Sequence, residues 1–191
     1  MNTYIAFLRG INVGGKNIIK MKDLKMHFEN AGLSEVQTYI QSGNILFRSE
    51  ADEKSLIELI ENIVQSEFEL TVPVVLRTSK ELKNILSGLP FSEEEILRAE
   101  KSSDVESLYV ALLAHNPFQE NIGKLLHYKE ENEKCEICGR EVYLLFSNSI
   151  RNSKLASNLY KLDASATVRN WKTLLKLNEI SNSSYGGENE K

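Results

Sequence analysis

The alternation of hydrophobic and polar positions predicts short strands separated by amphipathic helices. Residues 3–8 are apolar and rich in β-formers, which is typical of a buried strand. Apolar residues recur at helical spacing most clearly over residues 56–68. In the first half, the pattern predicts strands over residues 3–8, 36–40, 45–47 and 72–77, and helices that begin at Lys20, at Leu56 and after the capping box of Thr78 and Glu81.

The order strand, helix, strand, strand, helix, strand is the split βαβ, or ferredoxin-like, arrangement. The second half repeats this order with a strand over residues 107–114, a helix after Pro117 and a hairpin across residues 138–140. A helix after Ser153 follows. The last strand of the repeat is expected to be weak or missing, because Thr167 is predicted to open a helix instead.

We therefore predict an α+β fold of two tandem ferredoxin-like subdomains with antiparallel sheets and a C-terminal helix. The two halves share no visible sequence identity, so the predicted duplication depends on element order alone. The predicted boundaries are residues 1–89 for the first subdomain, 90–104 for a connector with a short helix, 105–180 for the second subdomain with the C-terminal helix, and 181–191 for a flexible tail.

Composition excludes several classes of protein. The longest apolar run, Leu108 to Ala114, is far shorter than the ~20 residues that span a bilayer, so no membrane association is expected. Arg9 interrupts the first apolar stretch before a secretory signal could form. Two cysteines cannot build a disulfide framework. These features together predict a cytoplasmic protein.

The net charge of −4 conceals two basic blocks. Residues 1–27 hold five Lys or Arg and one Asp, and residues 148–178 hold six Lys or Arg and one Asp. Residues 50–106 hold six Lys or Arg against fourteen Asp or Glu. Either the basic blocks meet to form an anion site, or acidic helices and basic loops alternate by chance.

The segment RGINVGGKN, residues 9–17, lies between a predicted strand and a predicted helix. Its two glycines permit close backbone approach to a ligand, and its loop amides and cations suit an anion. A tight loop with surface cations is the alternative. The candidate ligand-binding residues here are Arg9, Asn12, Gly14, Gly15, Lys16 and Asn17.

This segment also matches the phosphate loop of nucleotide hydrolases up to its last position. There Asn17 replaces the Ser or Thr whose hydroxyl holds magnesium. Such hydrolases need a larger parallel sheet, whereas short turns join the strand pairs predicted here. The pattern therefore argues against that class.

Further candidate ligand-binding residues lie in three short polar segments. Ser42 and Asn44 belong to a turn, residues 41–44, for which a plain hairpin is the alternative. Arg151 and the pair Arg169-Asn170 lie beside predicted helix starts, where a cation opposes the helix dipole unless an anion accompanies it. A solvated surface arginine is the alternative.

Three motifs together resemble an uncharacterised bacterial family of proteins of unknown function. They are RGINVGGKN at residues 9–17, YIQSGNILFRS at residues 39–49 and RNWKTLLKL at residues 169–177. The resemblance covers nearly the whole chain and implies two tandem ferredoxin-like subdomains. It brings no activity, substrate or catalytic residue.

The leading functional hypothesis is a module that binds a phosphate-bearing partner, either nucleic acid or a nucleotide-like molecule. One alternative is a phosphoryl or acyl-phosphate hydrolase of acylphosphatase-like logic, using Arg9, the glycine loop and Asn44. Another is an interaction protein that pairs through a sheet edge. No cofactor or metal is expected, because Cys135 and Cys138 form only half of a zinc site.

Overall fold

The computed structural model describes residues 1–185 and divides into two compact units. Among the described residues, the first unit comprises Met1–Asn84 and residues 175–185, and the second comprises Ile85–Leu174. Each contains a four-stranded sheet in which every paired strand is antiparallel. This confirms the predicted α+β class and is incompatible with the parallel sheet of a phosphate-loop hydrolase.

The first unit has the predicted order of elements, and its sheet order is β2-β3-β1-β4. The capping box at Thr78 is confirmed, because Glu81 N–H donates to Thr78 Oγ1 at 3.2 Å and Thr78 N–H to Glu81 Oε2 at 2.7 Å. The elements are β1 (Asn2–Leu8), α1 (Met21–Asn30), β2 (Ser34–Tyr39), β3 (Asn44–Ser49), α2 (Glu53–Phe68), β4 (Val74–Thr78) and α3 (Ser79–Ser87), which crosses the unit boundary.

Both faces of β1, a central strand of the first sheet, are buried. Tyr4, Ala6 and Leu8 of β1 belong to a core that includes apolar residues of α1 and α2. Ile5 and Phe7, which point to the opposite face, are also fully buried. Burial on both sides leaves β1 to present polar groups at its ends, whereas the edge strand β2 is partly exposed along most of its length.

The second unit repeats the arrangement, and its sheet order is β6-β7-β5-β8. The predicted connector contains a nine-residue helix with a complete capping box at Ser92. The elements are α4 (Glu93–Lys101), β5 (Leu108–Leu112), α5 (Gln119–Leu126), β6 (Glu133–Cys138), β7 (Glu141–Phe146), α6 (Lys154–Ser157) and β8 (Thr167–Asn170), with 3-10 turns at Ile150–Asn152 and Leu159–Lys161. The last helix, α7 (Trp171–Tyr185), begins in this unit and crosses into the first unit at Leu175.

The prediction that Thr167 opens a helix was wrong. Residues 167–170 form β8, which pairs with β5 from Leu112 opposite Thr167 to Tyr109 opposite Asn170. The polar side chains of Thr167 and Arg169 are buried while Val168 is only partly buried. In this strand the polar side chains are the buried ones. The periodicity of hydrophobic residues in the sequence therefore could not identify it.

The predicted flexible tail begins too early. Helix α7 continues through Tyr185, so residues 181–185 are helical, with Ser181 buried. Residues 186–191 of the predicted tail lie outside the described residues. No helix within residues 1–185 combines the length and apolar character that crossing a membrane requires.

Candidate functional site

The loop between β1 and α1, residues 9–20, is anchored by the side chain of Asn12. Asn12 Nδ2 donates to Ile19 O at 2.9 Å and to Gln41 O at 2.8 Å. Asn12 Oδ1 accepts from Ile19 N–H at 2.8 Å. Since both polar atoms of this amide are engaged, Asn12 holds the loop closed, and its predicted role as a ligand-binding residue gives way to a structural one.

The far part of this loop, residues 13–18, forms a narrow hairpin that we call the tip. Lys16 N–H donates to Val13 O at 3.0 Å, and Gly14 and Gly15 between them have φ of 59° and 74°. Positive φ at both central residues is the requirement of a type I′ turn. The glycines therefore serve a tight reversal of the chain, and all six residues of the tip are exposed.

The turn between β2 and β3 lies against the same loop. Leu8 N–H donates to Gly43 O at 2.8 Å, in addition to the bond from Asn12 to Gln41. A Cβ on Gly43 would lie 2.9 Å from Leu8 Cβ and from two atoms of Ile11. The contact requires glycine at this position, and it brings the RGINVGGKN and YIQSGN motifs together.

Asn44 and Ser42 are part of the turn itself. Asn44 is fully buried, and its Nδ2 donates to Tyr39 O at 3.2 Å and to Ser42 Oγ at 2.9 Å. The hydrolase hypothesis assigned Asn44 the positioning of a water molecule. The geometry instead gives its amide nitrogen a turn-closing role, and it does not favour that hypothesis.

The other residues of this loop that were predicted to bind a ligand lie either at its base or in the tip. Arg9 is partly buried, and its backbone N–H donates to Pro73 O at 3.0 Å. Asn17 Nδ2 donates to Gly10 O at 3.1 Å, which ties the tip to the base of the loop. Lys16 is exposed beside the two glycines. Within this unit, Lys16 is thus the predicted cation best placed for a partner.

Sequence reasoning missed three exposed apolar side chains in this region. Val13 and Ile18, the first and last residues of the tip, have exposed fractions of 62% and 63%, and Ile40 in the adjoining turn is 49% exposed. Ile40 also has a φ of 49°, which is unfavourable for a β-branched residue. Val13 and Ile40 lie inside the two motifs, but a search for charged chemistry passes over them.

The second unit places its predicted residues differently. Arg169 lies in β8 rather than at a helix start, and its Nη1 donates to Thr167 Oγ1 at 2.8 Å and to Val168 O at 2.9 Å. Burial lowers the pKa of Arg169 to about 10. Asn170 Oδ1 accepts from Thr173 N–H at 2.8 Å and so caps α7. Arg151 lies exposed in a 3-10 turn.

Arg169 has a structural counterpart in the first unit. Arg77 is 1% exposed, lies in the last strand of its sheet and donates from Nη1 to the preceding carbonyl, Leu76 O, at 2.7 Å. Both arginines begin the same pattern, R-x-x-K-x-L, at residues 77–82 and 169–174. This repeat is the sequence signal that identifies β8 as the equivalent of β4.

The two cysteines do not converge. Cys135 and Cys138 lie three residues apart on β6, so their side chains point to opposite faces of the strand. Burial raises the pKa of Cys135 to about 12, which keeps it a thiol. Within residues 1–185, no His, Cys, Asp and Glu side chains are grouped to hold a metal ion.

The fold and this loop define a class of protein: a tandem pair of split βαβ units whose first unit carries an extended, anchored loop. The chain belongs to the family described as "Protein of unknown function (DUF1697)", whose model matches residues 1–143. Both the RGINVGGKN and YIQSGN motifs lie within this match, whereas RNWKTLLKL lies beyond it.

A solved structure shares the fold. A conserved bacterial protein from Streptococcus pneumoniae superposes with a TM-score of 0.71 at 24% sequence identity, covering 94% of this chain and 98% of that chain. At this identity the likeness concerns the fold alone. No curated protein matches the chain significantly.

Proposed function

We propose that this protein binds nucleic acid through the tip, residues 13–18. The observation that carries the proposal is a run of six exposed residues, with Lys16 at a hairpin turn whose base is fixed by the three hydrogen bonds of Asn12. A rigid exposed hairpin needs no ordering when it meets a partner, so less entropy is lost on binding.

The shape of the site favours a polymer over a small molecule. Binding sites for small ligands are concave, whereas the tip protrudes with every residue exposed. Such a projection can contact a phosphodiester backbone, and the positive charges of Lys16 and the exposed Lys20 can pair with its phosphates. The excess of cations over residues 1–27 also favours a negatively charged partner.

The apolar side chains around the tip suit the same partner. Val13, Ile18 and Ile40 are at least 49% exposed and adjoin the cations. Proteins that enter a nucleic-acid groove use such side chains against sugars and between bases, while their cations contact phosphates. A combined apolar and basic projection therefore fits nucleic acid better than a purely ionic patch would.

Fluorescence anisotropy with labelled 20-nucleotide single-stranded and duplex DNA and RNA tests the proposal. Affinity for at least one probe should fall about tenfold or more between 50 and 200 mM salt. Lys16→Gln should weaken binding and reduce the salt slope by about one. Lys54→Gln on α2 removes the same charge from an exposed site outside the loop and serves as the matched control.

Three outcomes would overturn the proposal: no binding of any probe at 50 mM salt, affinity independent of salt, or equal affinities of the Lys16 and Lys54 variants. Probe binding that ignores salt but responds to Val13→Ser and Ile18→Ser would mean that apolar contacts, and not contacts to phosphates, carry the affinity.

A further inference from the structure

The sheet of each unit ends in two edge strands, and β6 is the one best suited to accept a further strand. β6 pairs with β7 over six consecutive residues without a register shift. The edge strand β2 has a register shift between Ser34 and Gln37, and such irregularities protect an edge against pairing. The other two edges are less suitable, because β4 is buried over Val74–Arg77 and β8 has only four residues.

The pairing of β6 with β7 determines which backbone groups of β6 point to the open edge. Phe146 N–H on β7 donates to Ser107 O at 2.9 Å, so Phe146 directs its backbone groups toward β5. Directions alternate along an antiparallel strand, so the β7 residues two and four positions before it also face β5. Their partners on β6 are Cys135 and Ile137. These two residues therefore point their N–H and C=O groups away from β7.

The side chains of β6 alternate between the core and the solvent. Cys135 and Ile137 pack against the core of the unit, whereas Lys134 and Glu136 are exposed on the other face. The Lys134 ammonium group donates a hydrogen bond to the carboxylate of Glu95 on α4, which holds it beside the strand. The exposed face of β6 therefore carries one cation and one anion, placed symmetrically about Cys135.

This spacing of charges is self-complementary. A two-fold axis through an antiparallel pair of β6 strands, centred on Cys135, places Lys134 of each copy opposite Glu136 of the other. The two Cys135 residues then face each other and exchange hydrogen bonds between their outward N–H and C=O groups. We propose that two copies of this chain associate through β6 in this register and join their four-stranded sheets into one continuous sheet.

Charge also selects this register against its neighbours. Moving the axis by one residue would place Lys134 opposite Lys134 or Glu136 opposite Glu136, and like charges directly opposite each other destabilise a strand pair. A lysine on an edge strand usually discourages pairing. Here each lysine has an acidic residue of the second copy to face, so it fixes the register instead. This association goes beyond the nucleic-acid proposal and does not depend on it.

Sedimentation velocity tests the inference, with a reducing agent present to prevent disulfides through the exposed Cys138. At about 100 μM, a tenfold margin over a Kd of about 10 μM, the wild type should sediment as a dimer of the 21.7 kDa chain. Lys134→Glu and Glu136→Lys each turn attractive pairs into repulsive ones, so each should weaken association about tenfold. Lys54→Glu makes the same charge change on α2 and should leave association unchanged.

An exchange of charges tests the register itself. In a mixture of the Lys134→Glu and Glu136→Lys proteins, two acids of one chain face two lysines of the other, so a heterodimer should form about as tightly as the wild-type dimer. The double variant Lys134→Glu/Glu136→Lys should likewise dimerise on its own. It also lacks the bond from Lys134 to Glu95, so its recovery would show that this bond does not account for the weakened single variant.

Hydrogen exchange provides a second readout at the edge. At about 100 μM the Cys135 amide should exchange about two- to threefold more slowly in the wild type than in Lys134→Glu, because less of the wild type is monomeric. The Glu136 amide, which faces β7, should be protected equally in both proteins.

A wild type that is monomeric at this concentration would overturn the inference and leave the edge to a different partner. Unchanged dimerisation of both single variants would also overturn it, since the interface would then lie elsewhere. Failure of both the mixture and the double variant to recover would show that Lys134 and Glu136 do not face each other across the interface, and the proposed register would be wrong.

Discussion

The loops that follow the first strand of each unit occupy the same place in the fold but differ in length. The loop between β1 and α1 has twelve residues, 9–20, and the loop between β5 and α5 has six, 113–118. The start of each loop is held by a hydrogen bond to the hairpin turn of its own unit, which joins β2 to β3 in the first unit and β6 to β7 in the second. Leu8 N–H donates to Gly43 O at 2.8 Å, and Leu113 N–H donates to Arg140 O at 2.9 Å.

Their anchors differ in chemistry. The longer loop closes on the neutral amide of Asn12. The shorter loop is held by a carboxylate, because Asp163 Oδ2 accepts from the backbone N–H of Ala114 at 2.7 Å and of His115 at 3.2 Å. The first loop is therefore held by hydrogen bonds of a neutral side chain, and the second by hydrogen bonds to a charged one.

The comparison shows what the extra length of the first loop does. The second unit connects strand to helix with six residues, so the six residues of the tip are not needed for the connection. They expose Val13 and Ile18, which gains nothing from the hydrophobic effect. A loop that exceeds its topological requirement and is nevertheless firmly anchored supports the proposal that the tip recognises a partner.

The largest expected effect is a difference in stability between alanine substitutions in the β2–β3 turn and in the β6–β7 turn. Gly43→Ala should lower the free energy of unfolding by about 3 kcal/mol or more, since a positive φ of 75° is combined with contacts of 2.9 Å to the new Cβ. Gly139→Ala meets its nearest atoms at 3.7 Å, so φ strain of about 1 kcal/mol is expected. Urea unfolding measures both, and equal losses would show that the first turn is not tightly packed on its loop.

The carboxylate anchor predicts a pH dependence. Burial alone would raise the pKa of Asp163, but hydrogen bonds from Ser165, His115 and Ala114 outweigh burial and lower this pKa below its ordinary value. The stabilisation is therefore present above the ordinary carboxyl pKa of about 4 and is lost as pH falls through the folded value.

Asp163→Asn should accordingly cost about 1–3 kcal/mol at pH 7, and its difference from the wild type should shrink in more acidic solution. Urea unfolding at pH 7 and pH 3 measures this. Glu131→Gln, an exposed acid in the same unit, is the control. A constant difference between the Asp163 variant and the wild type at both pH values would contradict the assignment of charge to this anchor.

Local patterns predicted most of the fold because they report short-range physics. The amphipathic spacing over residues 56–68 coincides with α2, and the pairing of Thr78 with Glu81 marks the start of α3. Strand β8 was not predicted because its buried positions are polar, as at Arg169. Only comparison with the region around Arg77 in the other unit reveals it.

The place of the glycine-rich loop in the fold was predictable from the sequence, but the arrangement of its residues was not. The sequence places a glycine-rich loop between β1 and α1, yet the bond from Asn12 to Gln41 joins residues 29 apart and depends on sheet geometry. The exposure of Ile18 contradicts the general rule that isoleucine is buried. Tertiary contacts, which no local pattern reports, decide both.

Two variants distinguish the hydrogen bonds of the neutral anchor. Asn12→Asp keeps the acceptor for Ile19 N–H but loses both donors, whereas Asn12→Ala loses all three bonds. Each should destabilise the protein by about 1–2 kcal/mol. Hydrogen exchange at the Ile19 amide should accelerate about tenfold in Asn12→Ala and much less in Asn12→Asp. Equal acceleration in the two variants would mean that this side chain does not protect that amide.

The smallest effect on stability belongs to the tip, and it is the most informative about function. Val13→Ser with Ile18→Ser should change the free energy of unfolding by no more than about 0.5 kcal/mol, because both side chains are already in water. The same double variant should weaken nucleic-acid binding. Met26→Ser on α1, 47% exposed and outside the loop, controls for the loss of an exposed apolar side chain. A loss of stability above 1 kcal/mol in the double variant would show that the tip packs against the protein, and the second unit's shorter loop would then lack a structural element rather than a binding surface.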